Sequence, residues 1–117
     1  GVIGFAWAFM LPFQVATQNE MNSAAFDKEV WDTSKDIQWR PNNPRVKMVG
    51  DLQRRLERDR PTKNEVLQLL GPLVGGRTEN QEWHYDVGNP SVGIGWAFLV
   101  LEFDSEGRVR STTIYRD

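Results

Sequence analysis

The chain has 117 residues, with 14 Lys and Arg against 16 Asp and Glu and a formal net charge of −2. That length leaves room for one folded domain, and charges of both signs exclude the global basic field that draws a protein onto nucleic acid. There is no cysteine, which excludes disulfides, thiolate nucleophiles, Cys-ligated zinc and a lipid-modified N-terminal Cys.

Residues 1–16 carry no charged side chain and are filled by Phe5, Trp7, Phe9, Met10, Leu11 and Phe13. As a helix the segment rises about 25 Å at about 1.5 Å per residue, slightly short of a hydrocarbon core of about 30 Å. The expectation is a retained membrane-anchor helix over 1–17, with a piece upstream of Gly1 missing from a chain that lacks an initiator Met. A cleaved signal peptide is the competing reading, since Ser23-Ala24-Ala25 offers small residues near a cleavage point. An amphipathic or buried helix is a third, because Pro12 kinks any helix there. Phe5, Phe9 and Phe13 recur every four residues, so three rings share one helical face, for lipid contact or for packing on a helix or cofactor.

Residues 18–44 read as a polar spacer and irregular strap. Glu20, Asp27, Lys28 and Glu29 lean acidic, whereas loops retained in the cytoplasm carry excess Lys and Arg, so the following domain is expected on the periplasmic side. Phe26, Val30, Trp31, Ile37 and Trp39 appear without a sustained period, and Pro41 and Pro44 rule out a long helix. These aromatics are expected to dock on the domain.

Residues 45–117 form the folded module. Val46, Val49, Leu52 and Leu56 predict a helix over 45–60 with a charged opposite face, closed by Pro61. Thr62 with Glu65 is a capping box that opens a second helix, expected to bury Val66, Leu67, Leu69 and Leu70 and to end at Gly71-Pro72. Trp83, Tyr85 and Val87 alternate with His84 and Asp86, which predicts a half-buried strand over 81–87. After a turn-rich stretch headed by Asn89-Pro90, residues 96–103 are the most apolar run and are expected to be the central strand. Asp104-Ser105-Glu106-Gly107 predicts a hairpin with a positive φ at Gly107, returning over 108–115. The predicted fold class is α+β, with two N-terminal helices packed on one face of a three-stranded antiparallel sheet and preceded by the apolar helix.

In this order the chain resembles the small outer-membrane lipoprotein domains of the SmpA/OmlA type, which have the β-lactamase-inhibitor-protein-like fold. The resemblance covers residues 26–117 and is carried by Phe26-Asp27, Trp31, Arg45 with Met48, Asp51-Leu52, Glu65-Val66, Leu69-Leu70-Gly71, Trp83 with Tyr85, and Phe103-Asp104 through Gly107 to Val109. It implies binding and assembly roles at a bacterial envelope, without catalysis. Two departures stand out. The usual lipid-accepting Cys is missing, so a retained helix must replace acylation, and Pro72 follows Gly71 directly where the family pattern places the Pro one residue later.

Catalytic chemistry finds little footing. His84, the one imidazole, is expected opposite Trp83 and Tyr85 as a hydrogen-bonded or exposed side chain rather than a base. Ser105 sits in a hairpin without a nucleophile elbow, Glu102, Asp104 and Glu106 are too strand-like for a calcium loop, and Gly71, Gly75 and Gly76 precede no phosphate-binding helix. No metal or cofactor is expected. The locally basic surface is the first helix, with Arg45, Lys47, Arg54, Arg55, Arg58 and Arg60. It reads as a solvated, ion-paired face or as a site for anionic lipid head groups or an acidic protein patch. Arg54, Arg55 and Arg58, with Trp39 and Trp96 outside the regular core, make up the expected partner surface. The functional expectation is a non-catalytic, membrane-tethered accessory or assembly subunit of a larger envelope complex, with the bilayer and other subunits as partners and no nucleic acid. The alternative is a soluble periplasmic inhibitor or ligand-binding module with a signal-peptide remnant.

Overall fold

The computed structural model describes residues 20–34, 40, 43–73, 78–79, 82–90 and 96–116. The expected anchor residues Phe5, Trp7, Phe9, Met10 and Phe13, and Trp39 of the expected partner surface, lie outside the described residues.

Among the described residues, the helices from Lys28 onward are three, each started by a side-chain cap that satisfies orphan N–H groups. Helix α1, Lys28–Thr33, begins where the Asp27 carboxylate accepts from the Val30 N–H. The strap is therefore not irregular throughout: this one-and-a-half-turn helix places Trp31 where it can be buried. Helix α2, Pro44–Asp59, is capped by Asn43, which accepts from the Val46 N–H, and has Pro44 in its first turn, where the missing N–H is harmless. Its predicted stripe is the core face: Val46, Val49, Leu52 and Leu56 are buried. Helix α3, Lys63–Leu70, has both halves of the capping box, Glu65 N–H to Thr62 Oγ1 at 3.2 Å and Thr62 N–H to Glu65 Oε1 at 3.0 Å. Gly71 ends it as expected, with φ 85° and an extended ψ of −174°, a conformation open to glycine.

Val66 and Leu70, four residues apart, share the buried face of α3, while Leu67 is exposed, which corrects the expectation that it is buried. A helix of two turns presents one apolar face, and Leu67 lies about 100° round from Val66.

The sheet is antiparallel, in the order β1-β2-β3-β4, from β1 Thr78–Glu79, β2 Glu82–Gly88, β3 Ala97–Phe103 and β4 Val109–Arg116. Strands β2 to β4 are the predicted three, with β3 central, and the two-residue β1 adds to the outer edge of β2. Register sets Tyr85 beside Leu99 and Leu99 beside Ile114, so one face gathers Tyr85, Val87, Ala97, Leu99, Leu101, Phe103 and Val109 into the same core as the helices. The other face carries His84, Asp86, Phe98, Val100 and Tyr115. In the β3–β4 turn Gly107 has φ 76°, and Asp104 Oδ1 accepts from the N–H groups of Glu106 and Arg108. Trp31, Phe26 and Val30 pack on the core from α1 and its entry, as expected of the strap.

Leu70→Ala is expected to destabilise the domain by about 2–5 kcal/mol, since it opens a cavity where α3 meets this core. A thermal melt should then fall by at least about 8 °C. An unchanged melt would mean that α3 is docked by another face.

Candidate partner-binding surface

Arg54, Arg55 and Arg58 all lie on the exposed side of α2, as their spacing requires, but none is a bare charge. Arg55 Nε donates to Asp51 Oδ2 at 3.0 Å, and Arg54 Nη2 is 3.7 Å from the other oxygen of the same carboxylate. Arg54 also donates to Asn22 Oδ1 at 2.6 Å. Asp51 in turn accepts the Phe26 N–H at 2.8 Å, and this bond, followed by Arg55, holds its carboxyl below the usual carboxylate range. Arg58 pairs with its neighbour Asp59 at 2.8 Å with its side chain 69% exposed. Exposed pairs of this kind contribute little to stability, so Arg58→Ala should leave the midpoint of a denaturant titration essentially unchanged. A large loss would mean that α2 is turned the wrong way round.

Arg45 does not belong to that surface. It is buried at the first turn of α2, and its guanidinium is stacked 4.1 Å from the centre of the Trp31 ring. Its Nε and Nη2 donate to the Trp31 carbonyl at 3.0 and 2.8 Å, Nε also reaches Ser34 Oγ, and Nη1 donates to the Asp86 carbonyl at 3.1 Å. The fork therefore ties α1 to α2 and to the end of β2. Sequence reasoning grouped it with the basic face because it is charged. The signal that it is not was its spacing: Arg45, Val49, Leu52 and Leu56 form one line at intervals of four, three and four.

A second knot closes the far end of α3, whose last carbonyls have no partner inside the helix. Trp31 Nε1 donates to the Leu70 carbonyl at 3.1 Å, and the Tyr85 hydroxyl donates to the Gly71 carbonyl at 3.0 Å. Burial pushes the Tyr85 phenol up to about 12.

Two clefts lined wholly by described residues flank α2. The first, about 450 Å³, has an apolar floor of Phe26, Leu56, Pro61 and Leu69 and a rim that includes Arg55 and Glu65. The second, about 440 Å³, lies between α2 and β4 and is lined by Met21, Asn22, Gly50, Arg54, Glu57 and Ile114. The structure thus places Arg55 at one cleft and Arg54 at the other. Arg58 and Trp96 line neither. Trp96 stands at the entry to β3, where its indole bonds to Asp86. Burial raises the carboxyl of Asp86, against opposing contributions from Arg45 and that bond.

Gly50 explains how the second cleft is built. A Cβ at this position would lie 2.7 Å from the Met21 carbonyl oxygen and would meet the Asn22 side chain as well. Only glycine lets the incoming chain cross α2 so closely, and it does so despite a helix penalty of about 1 kcal/mol relative to alanine. Gly50→Ala is therefore expected to destabilise by about 1–3 kcal/mol, against its helix propensity. A denaturant titration in which Gly50→Ala is stabilised would show that the crossing is not held.

His84 is half-buried on the outer sheet face, 3.8 Å from Glu82, with no hydrogen-bond partner for Nε2 among the described residues. Among the described residues no group of three or more His, Asp or Glu side chains is placed to hold a metal ion. Nor is any described helix long and apolar enough to cross a membrane. No family model, curated protein or solved structure matches this chain.

Proposed function

We propose that the protein is a non-catalytic accessory or assembly subunit of a cell-envelope membrane complex, tethered by the apolar segment of residues 1–17 and binding through its α+β module on the periplasmic side. The observation that carries this reading is the way the chain leaves that segment. Met21 is in the core, Asn22 holds Arg54, the Ala24 N–H donates to the Lys47 carbonyl at 3.0 Å, and Gly50 is kept free of a side chain to admit them. A chain cut near Ala24 would lose Met21 and Asn22 from the domain, which favours a retained segment over a signal-peptide remnant. Arg45, Trp31 and Tyr85 spend their donors on backbone carbonyls that hold the elements together, so these buried polar groups are structural ties.

An alkaline wash of membranes tests the tether, and co-purification in mild detergent tests the assembly role. The full chain should stay with the membrane fraction and bring a stoichiometric set of other subunits with it. Recovery wholly in the soluble fraction, or a native N-terminus near Ala24, would overturn the tethered reading in favour of a free periplasmic module.

A further inference from the structure

We infer that the first cleft is an anchor site for an acidic segment of a partner protein, which sets one apolar side chain on the floor and its neighbouring carboxylates on the rim. This rests on the binding-module reading and names the chemistry of the partner. The floor is drawn from four places in the chain. Phe26 comes from the entry to α1, Leu56 from α2, Pro61 from the turn that follows and Leu69 from α3. Leu56 is buried, but Phe26 and Leu69 are only partly covered while they pack on the core, so the recess of about 450 Å³ leaves apolar surface open. An apolar recess ringed by polar groups is the form in which an interface holds a single anchoring side chain.

The charge of the occupant follows from which rim groups are already spent. The two lining carboxylates are turned elsewhere: Asp59 accepts from Arg58 on both oxygens, at 2.8 and 3.2 Å, and Glu65 accepts the Thr62 N–H in the capping box. The three lining cations keep donors to spare. Arg108 donates to the Arg60 carbonyl at 3.1 Å and lies in the field of Glu65, but it makes no ion pair at contact distance with a described residue. Lys28 holds Asp32 and Arg55 holds Asp51, each through one nitrogen, and both Nη groups of Arg55 stay unspent among the described residues. Cations from α1, α2 and the β3–β4 hairpin therefore line one apolar floor, and a carboxylate is the group that takes up such N–H donors. A flat anionic bilayer fits less well. Asp32, Asp51, Asp59 and Asp104 are interspersed with the cations around the cleft, so a charged sheet meets repulsion with each attraction, whereas a single chain threads its carboxylates to the open donors.

The test titrates the full chain, in discs of neutral lipid, into a dye-labelled, end-capped peptide Gly-Asp-Phe-Glu-Gly, read by fluorescence anisotropy, with amide hydrogen exchange to locate the site. Saturable binding that slows exchange in α3 and at Arg108 is expected. Replacing the Phe of the peptide by Ser, or both of its acids by their amides, should weaken binding about tenfold in each case. Arg108→Gln and Lys28→Gln change exposed side chains, so each should weaken binding about threefold with an unchanged thermal melt. No saturable binding, equal binding by the Ser or amide peptide, undiminished binding by the double variant, or protection at the second cleft would each overturn the inference. So would slower exchange at the same residues in anionic discs without peptide, which would give the cleft to lipid head groups. The membrane wash and co-purification are read separately, so a tethered, complexed chain that ignores these peptides loses this inference alone.

Discussion

Replacing Trp31 by alanine is expected to remove about 3–5 kcal/mol of stability, the usual loss when a large buried aromatic is truncated. That is a large part of the roughly 5–15 kcal/mol that holds a domain together. Trp31 is fully buried, its ring lies beneath the Arg45 guanidinium, and its Nε1–H satisfies the Leu70 carbonyl at the end of α3. Alanine would leave a cavity, an unstacked buried cation and an orphaned carbonyl together. Trp31→Phe separates these contributions, because it keeps a ring for the stacking and loses the Nε1 donor, at about 1 kcal/mol for the lost hydrogen bond. Denaturant unfolding of both variants reads the difference. If Trp31→Ala falls within about 1 kcal/mol of the native chain, the strap is an attachment and not part of the core.

Arg45→Ala should be almost as damaging, at about 3–5 kcal/mol. It leaves the Trp31 and Asp86 carbonyls without their donors, at about 1–3 kcal/mol for each buried group, and removes a stem packed against the indole. Burial lowers the guanidinium from its ordinary value to about 10, with Asp32 and Asp86 opposing, so it remains a cation at neutral pH. Its value lies in the fork, which reaches two elements at once. Arg45→Lys offers a point charge in place of that fork and should recover only a minor part of the loss. Full recovery by lysine would mean that charge alone holds the strap. Because Arg45 and Trp31 share partners, the double variant should lose less than the two single losses added together, with a coupling of about 0.5–3 kcal/mol in the cycle.

Local periodicity and turn chemistry were sufficient for most of the fold. The line Val46, Val49, Leu52, Leu56 is buried as predicted, Thr62 and Glu65 close both capping bonds, and Gly107 turns the hairpin between the central strand and β4. These features depend on neighbours a few residues away, which a sequence displays directly. The exposed placement of Arg54, Arg55 and Arg58 on α2 was legible for the same reason, as was the Asp51–Arg55 pair at a spacing of four.

What the sequence by itself determined about this protein is therefore the α+β class, the order of helices and strands, the central place of β3 and the solvated side of α2. Only the tertiary structure decided that Arg45 is an internal tie, that Gly50 is vacant for Met21 and Asn22, and that Arg54 and Arg55 stand at different clefts while Trp96 joins neither. Each of these turns on contacts between segments far apart in the chain, such as Asn22 with Arg54 or Arg45 with Asp86. A charged residue reads as surface by its type, and nothing local announces the carbonyls that a distant loop and strand end will bring to it. Burial of such a group is stable only when those partners arrive together, and it is the packed fold that brings them.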